Sequence, residues 1–165
     1  MSDFRKRLAT GERLLFDGAM GTMLQKRGLA PGQNPEEFCL ARPDILRAVH
    51  MEYIRAGADV ITTNTFGGSV FKLPPGLEAH AFNRRMTEEA RAAIAECGAQ
   101  GRVFIAGSVG PTGKFLKPLG DLSFEEMEAS FREQIRGLLE GGADLILGET
   151  HFDLAEARAV AVAAK

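Results

Sequence analysis

LLFDGAMGTML, residues 14–24, carries a short apolar run to an acid, Asp17, and turns through Gly18 and Gly21 into a predicted helix. A strand that delivers a carboxylate to its C-terminal end, followed by glycines that leave backbone N–H groups open, is how parallel α/β proteins build sites for small polar or charged ligands. The same layout recurs three times. VITT at 60–63 runs into Asn64-Thr65-Phe66, VFIA at 103–106 runs into GSVGPTG, and LIL at 145–147 ends in Gly148-Glu149-Thr150.

Helical patterns fill the intervals. A short helix is expected around 4–8, and another over 21–27 that stops at Gly28, a natural C-cap. APGQNPEEF, 30–38, reads as loop because it is rich in breakers. Pro43 opens a helix that turns Leu46, Val49 and Tyr53 inward and ends at Gly57. Phe82, Met86, Ala90, Ala93 and Cys97 form one helical stripe. Ser123 with Glu126 forms a capping box for a helix burying Met127, Phe131, Ile135 and Leu138. A last helix from about 153 to 165 shows Leu154, Ala157, Ala161 and Ala164 on one side.

Strand starts near 14, 60, 103 and 145 lie 42 to 46 residues apart, a βα repeat. AGADVITTNTF at 56–66 also resembles GGADLILGETHF at 141–152, an offset of two such units. Apolar strands without strict alternation fit a parallel sheet covered by helices, and right-handed crossovers place all four strand C-termini on one edge. An open doubly wound sheet needs polar strand ends mainly at its switch point, whereas a barrel gathers them all around one mouth. The expected fold class is therefore α/β, the first half (about four βα units) of a (β/α)8 TIM barrel. Residues 1–165 would be the N-terminal half of a barrel domain whose remainder lies beyond 165. Four units alone leave two unpaired sheet edges and an open apolar face, so the isolated chain is expected to self-associate.

Composition bounds the function. With 165 residues, 45% hydrophobic and 25% charged, the chain suits a globular unit, and a net charge of -2 gives no electrostatic reason to expect nucleic acid or an anionic membrane as partner. Arg5-Lys6-Arg7 reads as a solvated helix face. No long apolar run exists and MSDFRKRLATGERL lacks the apolar core of a signal peptide, so a cytoplasmic protein is expected. Cys39 and Cys97 have no Cys-x-x-Cys spacing and read as ordinary buried thiols, without a disulfide framework or a structural zinc site. His50 and His80 lie in helices as surface or packing residues. His151 follows Glu149-Thr150 and either lines the site or is a satisfied loop histidine.

Around one mouth, Asp17, Thr63, Asn64, Ser108 and Glu149 would stand with the open N–H groups from Gly18 onward. Two carboxylates suit an ammonium; open N–H groups and a threonine hydroxyl suit a carboxylate. Together they describe a site for a free α-amino acid. Two other classes remain. A hydrolase could use Asp17 and Glu149 as acid and base, although sugar-cleaving sites normally offer aromatic platforms and this chain has no Trp and one tyrosine, Tyr53. A half-barrel could also be a non-catalytic binding or assembly module.

DGAMGT at 17–22, RPDILRAVHMEYIRAGADVITTNTFGGS at 42–69, AGSVGPTG at 106–113 and EGGADLILGETHFD at 140–153 resemble, in order and spacing, the N-terminal homocysteine-binding module of the cobalamin-dependent methionine synthases. They resemble the wider homocysteine S-methyltransferase family more loosely. The resemblance implies a (β/α)8 barrel, homocysteine as substrate, and a zinc ion that binds its thiol. It implies Asp17 and Glu149 for the substrate amino group, and Thr63 with the backbone near Gly18 for the carboxylate. Asn64 and Ser108 are lining candidates.

A thiol is mostly protonated at neutral pH, and coordination to zinc leaves a thiolate positioned to attack a methyl group. In the family three cysteines of the second barrel half bind that zinc, so the ligands are expected outside this chain. Cys39, placed in a loop, and Cys97, near a helix end, are expected near the opposite face, and this chain alone is expected to be inactive. Methylcobalamin and methyltetrahydrofolate would be handled by other domains of a methionine synthase; S-methylmethionine or betaine would serve smaller relatives.

Overall fold

A computed structural model describes residues 3–165. The elements run α1 (Asp3–Ala9), α2 (Met20–Gln25), α3 (Pro35–Ala41), α4 (Pro43–Arg55), β1 (Val60–Thr62), α5 (Ala79–Glu96), β2 (Phe104–Val109), α6 (Phe124–Gly141), β3 (Leu145–Gly148) and α7 (Leu154–Ala163). The three strands are parallel and lie in chain order, with Thr62 beside Ala106 and Ser108 beside Leu147. The fold is thus α/β with a parallel sheet, as the repeat predicts.

Where a fourth strand is expected at 14–17, the chain makes a single parallel bridge, Phe16 to Val60. The Asp17 N–H donates to the Val60 carbonyl (2.9 Å) and the Val60 N–H to the Leu15 carbonyl (3.1 Å). The segment goes no further because Asp17 turns its carboxylate onto Thr62, and Leu15 stays 62% exposed.

The sequence repeat has a structural counterpart. The Asp59 N–H donates to the Leu15 carbonyl (2.8 Å) while Asp59 Oδ2 accepts the Leu15 N–H (3.0 Å). Two units on, the Asp144 N–H donates to the Ile105 carbonyl (2.9 Å) and Asp144 Oδ2 accepts the Ile105 N–H (2.8 Å). Each aspartate closes a ring with one residue of the preceding segment just before a strand begins, which fixes the register there.

Alternation then sorts the strand side chains. Ile61 and Ile105 pack with Ile54, Ala90 and Ala93 beneath the helices, while Val60, Phe104 and Ala106 cluster with Phe4, Leu14, Leu145 and Leu147 on the other face. The predicted residues of α6, Met127, Phe131, Ile135 and Leu138, are buried, and its capping box is complete: Ser123 Oγ accepts the Glu126 N–H and Glu126 Oε2 accepts the Ser123 N–H. α5 and α6 lie close because Gly137 and Gly141 bear no side chain; a Cβ there would stand 2.3 Å from the His80 carbonyl oxygen and 2.7 Å from that of Arg84.

Several local expectations are corrected. The breaker-rich 30–38 segment contains the start of α3, because Asn34 caps it by accepting the Glu37 N–H (2.9 Å) and Pro35 sits at its first turn. α7 buries Glu156, Ala159, Val160 and Ala163 rather than the predicted side, and Leu154 is 86% exposed. An alanine-rich helix carries a weak periodic signal, and a carboxylate with buried partners occupies one of its inward positions. Arg7 is not merely solvated: its guanidinium binds Glu12, Asp59 and the Arg102 carbonyl and lies over the Phe104 ring. Cys39 is buried, whereas Cys97, the α5 C-cap, is only partly so. Among the described residues no helix is long and apolar enough to cross a membrane.

His50 of α4 is fully buried and neither ring nitrogen has a hydrogen-bond partner, so burial pushes its pKa down to about 4. The unfolded chain takes up this proton below about pH 6.5 while the folded chain resists until about pH 4. Stability held above that window is therefore lost on acidification through it, by up to about 1.4 kcal/mol per pH unit. His50→Leu should remove this slope between pH 6.5 and 4 in urea titrations and be neutral or stabilising at pH 7. Phe131→Ala, which empties the centre of the α6 packing, should lower stability by about 3–5 kcal/mol in the same assay.

Candidate functional site

The parallel register brings the C-terminal ends of the strands to one edge, and a cleft of about 380 Å³ opens there. Asp17, Gly18, Thr63, Asn64, Ser108 and Glu149 all line it, together with Thr62, Met20, Phe66 and Leu147. Among the described residues no lysine or arginine does. A larger groove on the helical side, lined by His80, Glu125, Glu128, Arg132 and Arg136, is a surface of mixed charge.

Asp17 is held by Thr62, whose N–H and hydroxyl donate to its two oxygens, each at 2.8 Å. Burial raises the Asp17 pKa above its ordinary value, and the Glu149 carboxylate across the cleft adds to the rise, while the Thr62 donors oppose it. Glu149 accepts a 2.6 Å hydrogen bond from Ser108 Oγ. Gly18 lies against Tyr53, where a Cβ would stand 3.0 Å from the phenol oxygen, and the Tyr53 hydroxyl donates to the Ala19 carbonyl (3.0 Å). That contact shapes the backbone turn between Asp17 and α2.

Thr63 and Asn64 are more committed than their sequence suggests. Thr65 Oγ1 donates to the Ser108 carbonyl (2.8 Å), so in the 2.6 Å contact between the Thr63 and Thr65 hydroxyls the proton comes from Thr63. Thr63 Oγ1 also accepts the Ser108 N–H (3.0 Å). Its hydroxyl thus ties β1 to β2 and has no proton left for a ligand. Asn64 donates to the Pro35 carbonyl (3.1 Å), joining the strand end to α3. Gln134 of α6, fully buried, donates to the Thr65 carbonyl (2.9 Å) and braces the whole edge from behind.

Thr62 and Gln134 were not among the predicted site residues. The signal for Thr62 was the Thr62-Thr63 doublet, because alternation turns only one of the pair toward the acid at the neighbouring segment's end. Gln134 had no local signal. His151 does not line the cleft: Nε2 lies 3.1 Å from the Val109 carbonyl and Nδ1 3.4 Å from Glu156.

The residues present do not fit a zinc site. Cys39 lies in α3, and burial pushes its thiol up to about 12, the Glu36 charge adding to the shift and the Asn64 amide opposing it. Its contact with Asn64 puts it behind the strand-end edge, not at the opposite face as expected. Cys97 lies at the end of α5, with Sγ 4.0 Å from the Met51 carbonyl. Among the described residues no group of three or more His, Cys, Asp or Glu is placed to hold a metal ion.

Because the Asp17 pKa is raised in the fold, its contribution is favourable at low pH and is lost as pH rises through the native-state value. Asp17→Asn, which does not titrate and can keep both Thr62 contacts, should therefore gain stability relative to the parent protein between about pH 3.5 and pH 7. Urea midpoints at the two pH values check the sign.

The family model described as homocysteine S-methyltransferase matches residues 14–165. Methionine synthase of Mycobacterium tuberculosis (strain ATCC 25618 / H37Rv) is 36% identical over 164 aligned residues, covering 92% of this chain and 14% of that protein. The crystal structure of the homocysteine methyltransferase MmuM from Escherichia coli superposes in its oxidized form with a TM-score of 0.84 at 31% identity, covering 99% of this chain and 61% of that one. Its metallated form gives 0.80 at 30% identity, with 98% and 62% covered. The chain therefore spans about three fifths of MmuM and a far smaller share of the methionine synthase.

Proposed function

The chain belongs to the homocysteine S-methyltransferase family, and we propose that its strand-end cleft binds the amino-acid end of homocysteine in a methionine synthase. One observation carries this reading: Asp17, just after the Phe16 bridge, and Glu149, just after β3, face one cleft that no lysine or arginine of the described residues enters. An α-ammonium supplies the missing positive charge and hydrogen-bonds to both acids. The exposed backbone from Gly18 to Met20 is assigned to the substrate carboxylate, with Thr63, Asn64 and Ser108 as walls. Thr63 contributes here by holding β1 to β2, not by donating from its hydroxyl.

In this reading residues 1–165 are the N-terminal half of a (β/α)8 homocysteine-binding barrel acting in the cytoplasm. The remaining barrel units and the zinc ligands that activate the thiol lie outside the chain, so the fragment alone does not transfer a methyl group. The methyl group comes from methylcobalamin and methyltetrahydrofolate on other domains, in keeping with the identity to a methionine synthase. The likeness to MmuM supports a second reading, a simpler homocysteine S-methyltransferase with S-methylmethionine or betaine as donor.

Calorimetric titration of the full-length protein with homocysteine tests the site. Asp17→Asn and Glu149→Gln should each weaken binding by roughly tenfold or more, since each leaves the ammonium with one acid. Binding unchanged in both variants sinks the assignment. Methyl transfer assayed with each donor in turn separates the two readings.

A further inference from the structure

Thr150 is the one non-glycine among the described residues with a left-handed backbone, φ 60°. A β-branched side chain disfavours that conformation, which persists only where its surroundings over-determine it. Thr150 stands between Glu149, which faces the cleft, and His151, which does not.

Both neighbours are anchored to the same atom. The Glu149 N–H and His151 Nε2 each donate to the Val109 carbonyl, both at 3.1 Å. On the other side of the His151 ring Nδ1 lies 3.4 Å from Glu156 Oε2, an ion pair when the ring carries a proton on both nitrogens, and the Phe131 ring packs edge-on at 6.0 Å. The His151 and Glu156 side chains are 6% and 1% exposed. Glu156 is fixed in turn by Thr112, whose N–H (2.8 Å) and hydroxyl (2.7 Å) both donate to Oε1. A buried chain thus runs from Thr112 through Glu156 and His151 to the carbonyl on which Glu149 rests.

We propose that His151, clamped between Glu156 and the Val109 carbonyl, is a positioning residue that fixes the Glu149 carboxylate at the cleft by sustaining the left-handed backbone of Thr150. A histidine that only filled the core would need neither the shared carbonyl nor the strained neighbour. With the clamp in place, Glu149 Oε1 meets Ser108 Oγ at 2.6 Å and the carboxylate has one position. Without it, Thr150 relaxes toward ordinary backbone geometry and swings Glu149 away from Asp17.

The inference rests on the homocysteine reading, and the test separates the two. In the full-length protein, His151→Leu should raise the homocysteine dissociation constant by roughly tenfold. His151→Gln, whose amide N–H can reach the Val109 carbonyl, should restore binding to within about twofold. Thr150→Gly added to His151→Leu should recover most of the loss, because glycine adopts positive φ without strain. Core packing alone predicts no rescue by Thr150→Gly. If Asp17→Asn weakens binding while His151→Leu does not, or if neither rescue works, the clamp is wrong and the site reading stands; a parent protein that binds no homocysteine overturns both. Should His151→Leu fail to fold, His151→Gln alone decides: an amide that keeps the Val109 contact predicts homocysteine binding within about twofold of the parent protein, and a roughly tenfold loss overturns the proposal.

Discussion

Asp59 and Asp144 set the order of everything downstream of them. Each closes a two-bond ring with a residue of the preceding segment, at the point where a strand is about to start. A one-residue slip there would turn Ile61 or Ile146 away from the helices and send Thr62 or Leu147 to the wrong face. It would also move the strand ends along the edge, so Asp17 and Thr62 would not meet. The cleft depends on this register more than on any residue that lines it.

Behind the cleft, the strand ends are joined by side chains already committed to one another. The Thr63 and Thr65 hydroxyls, the Ser108 backbone and the Gln134 amide form a buried network linking β1, β2 and α6. Such a network resists distortion because breaking any of its bonds would strand a buried polar group, although Gln134 Oε1 already has no partner. It leaves the two acids as the chemically open groups of the cleft. Rigid walls around two carboxyl groups, with no lysine or arginine among the described lining residues, favour a positively charged group on the proposed reading.

The elements legible in the sequence were those with a local cause. Ser123 and Glu126 announce α6, Pro43 announces α4, and the strand-end acids announce themselves by following apolar runs. What the sequence hid depends on contacts between distant residues. Asn34 turns a breaker-rich stretch into a helix start, Glu156 sits inward because Thr112 waits for it, and the first strand shrinks to a bridge because Asp17 bends onto Thr62. The commitment of Thr63 is hidden for the same reason: nothing near it in sequence shows that Ser108 and Thr65 already occupy its hydroxyl.

The raised pKa of Asp17 has a consequence for how a ligand enters. On the proposed reading, an arriving ammonium relieves the repulsion between the acids and favours the ionised form of Asp17, so binding is linked to proton loss there. On that reading, association at this cleft is coupled to release of whatever proton Asp17 holds. Its heat depends on which buffer receives the proton, and acidification makes hydrogen ions a direct competitor of the ligand.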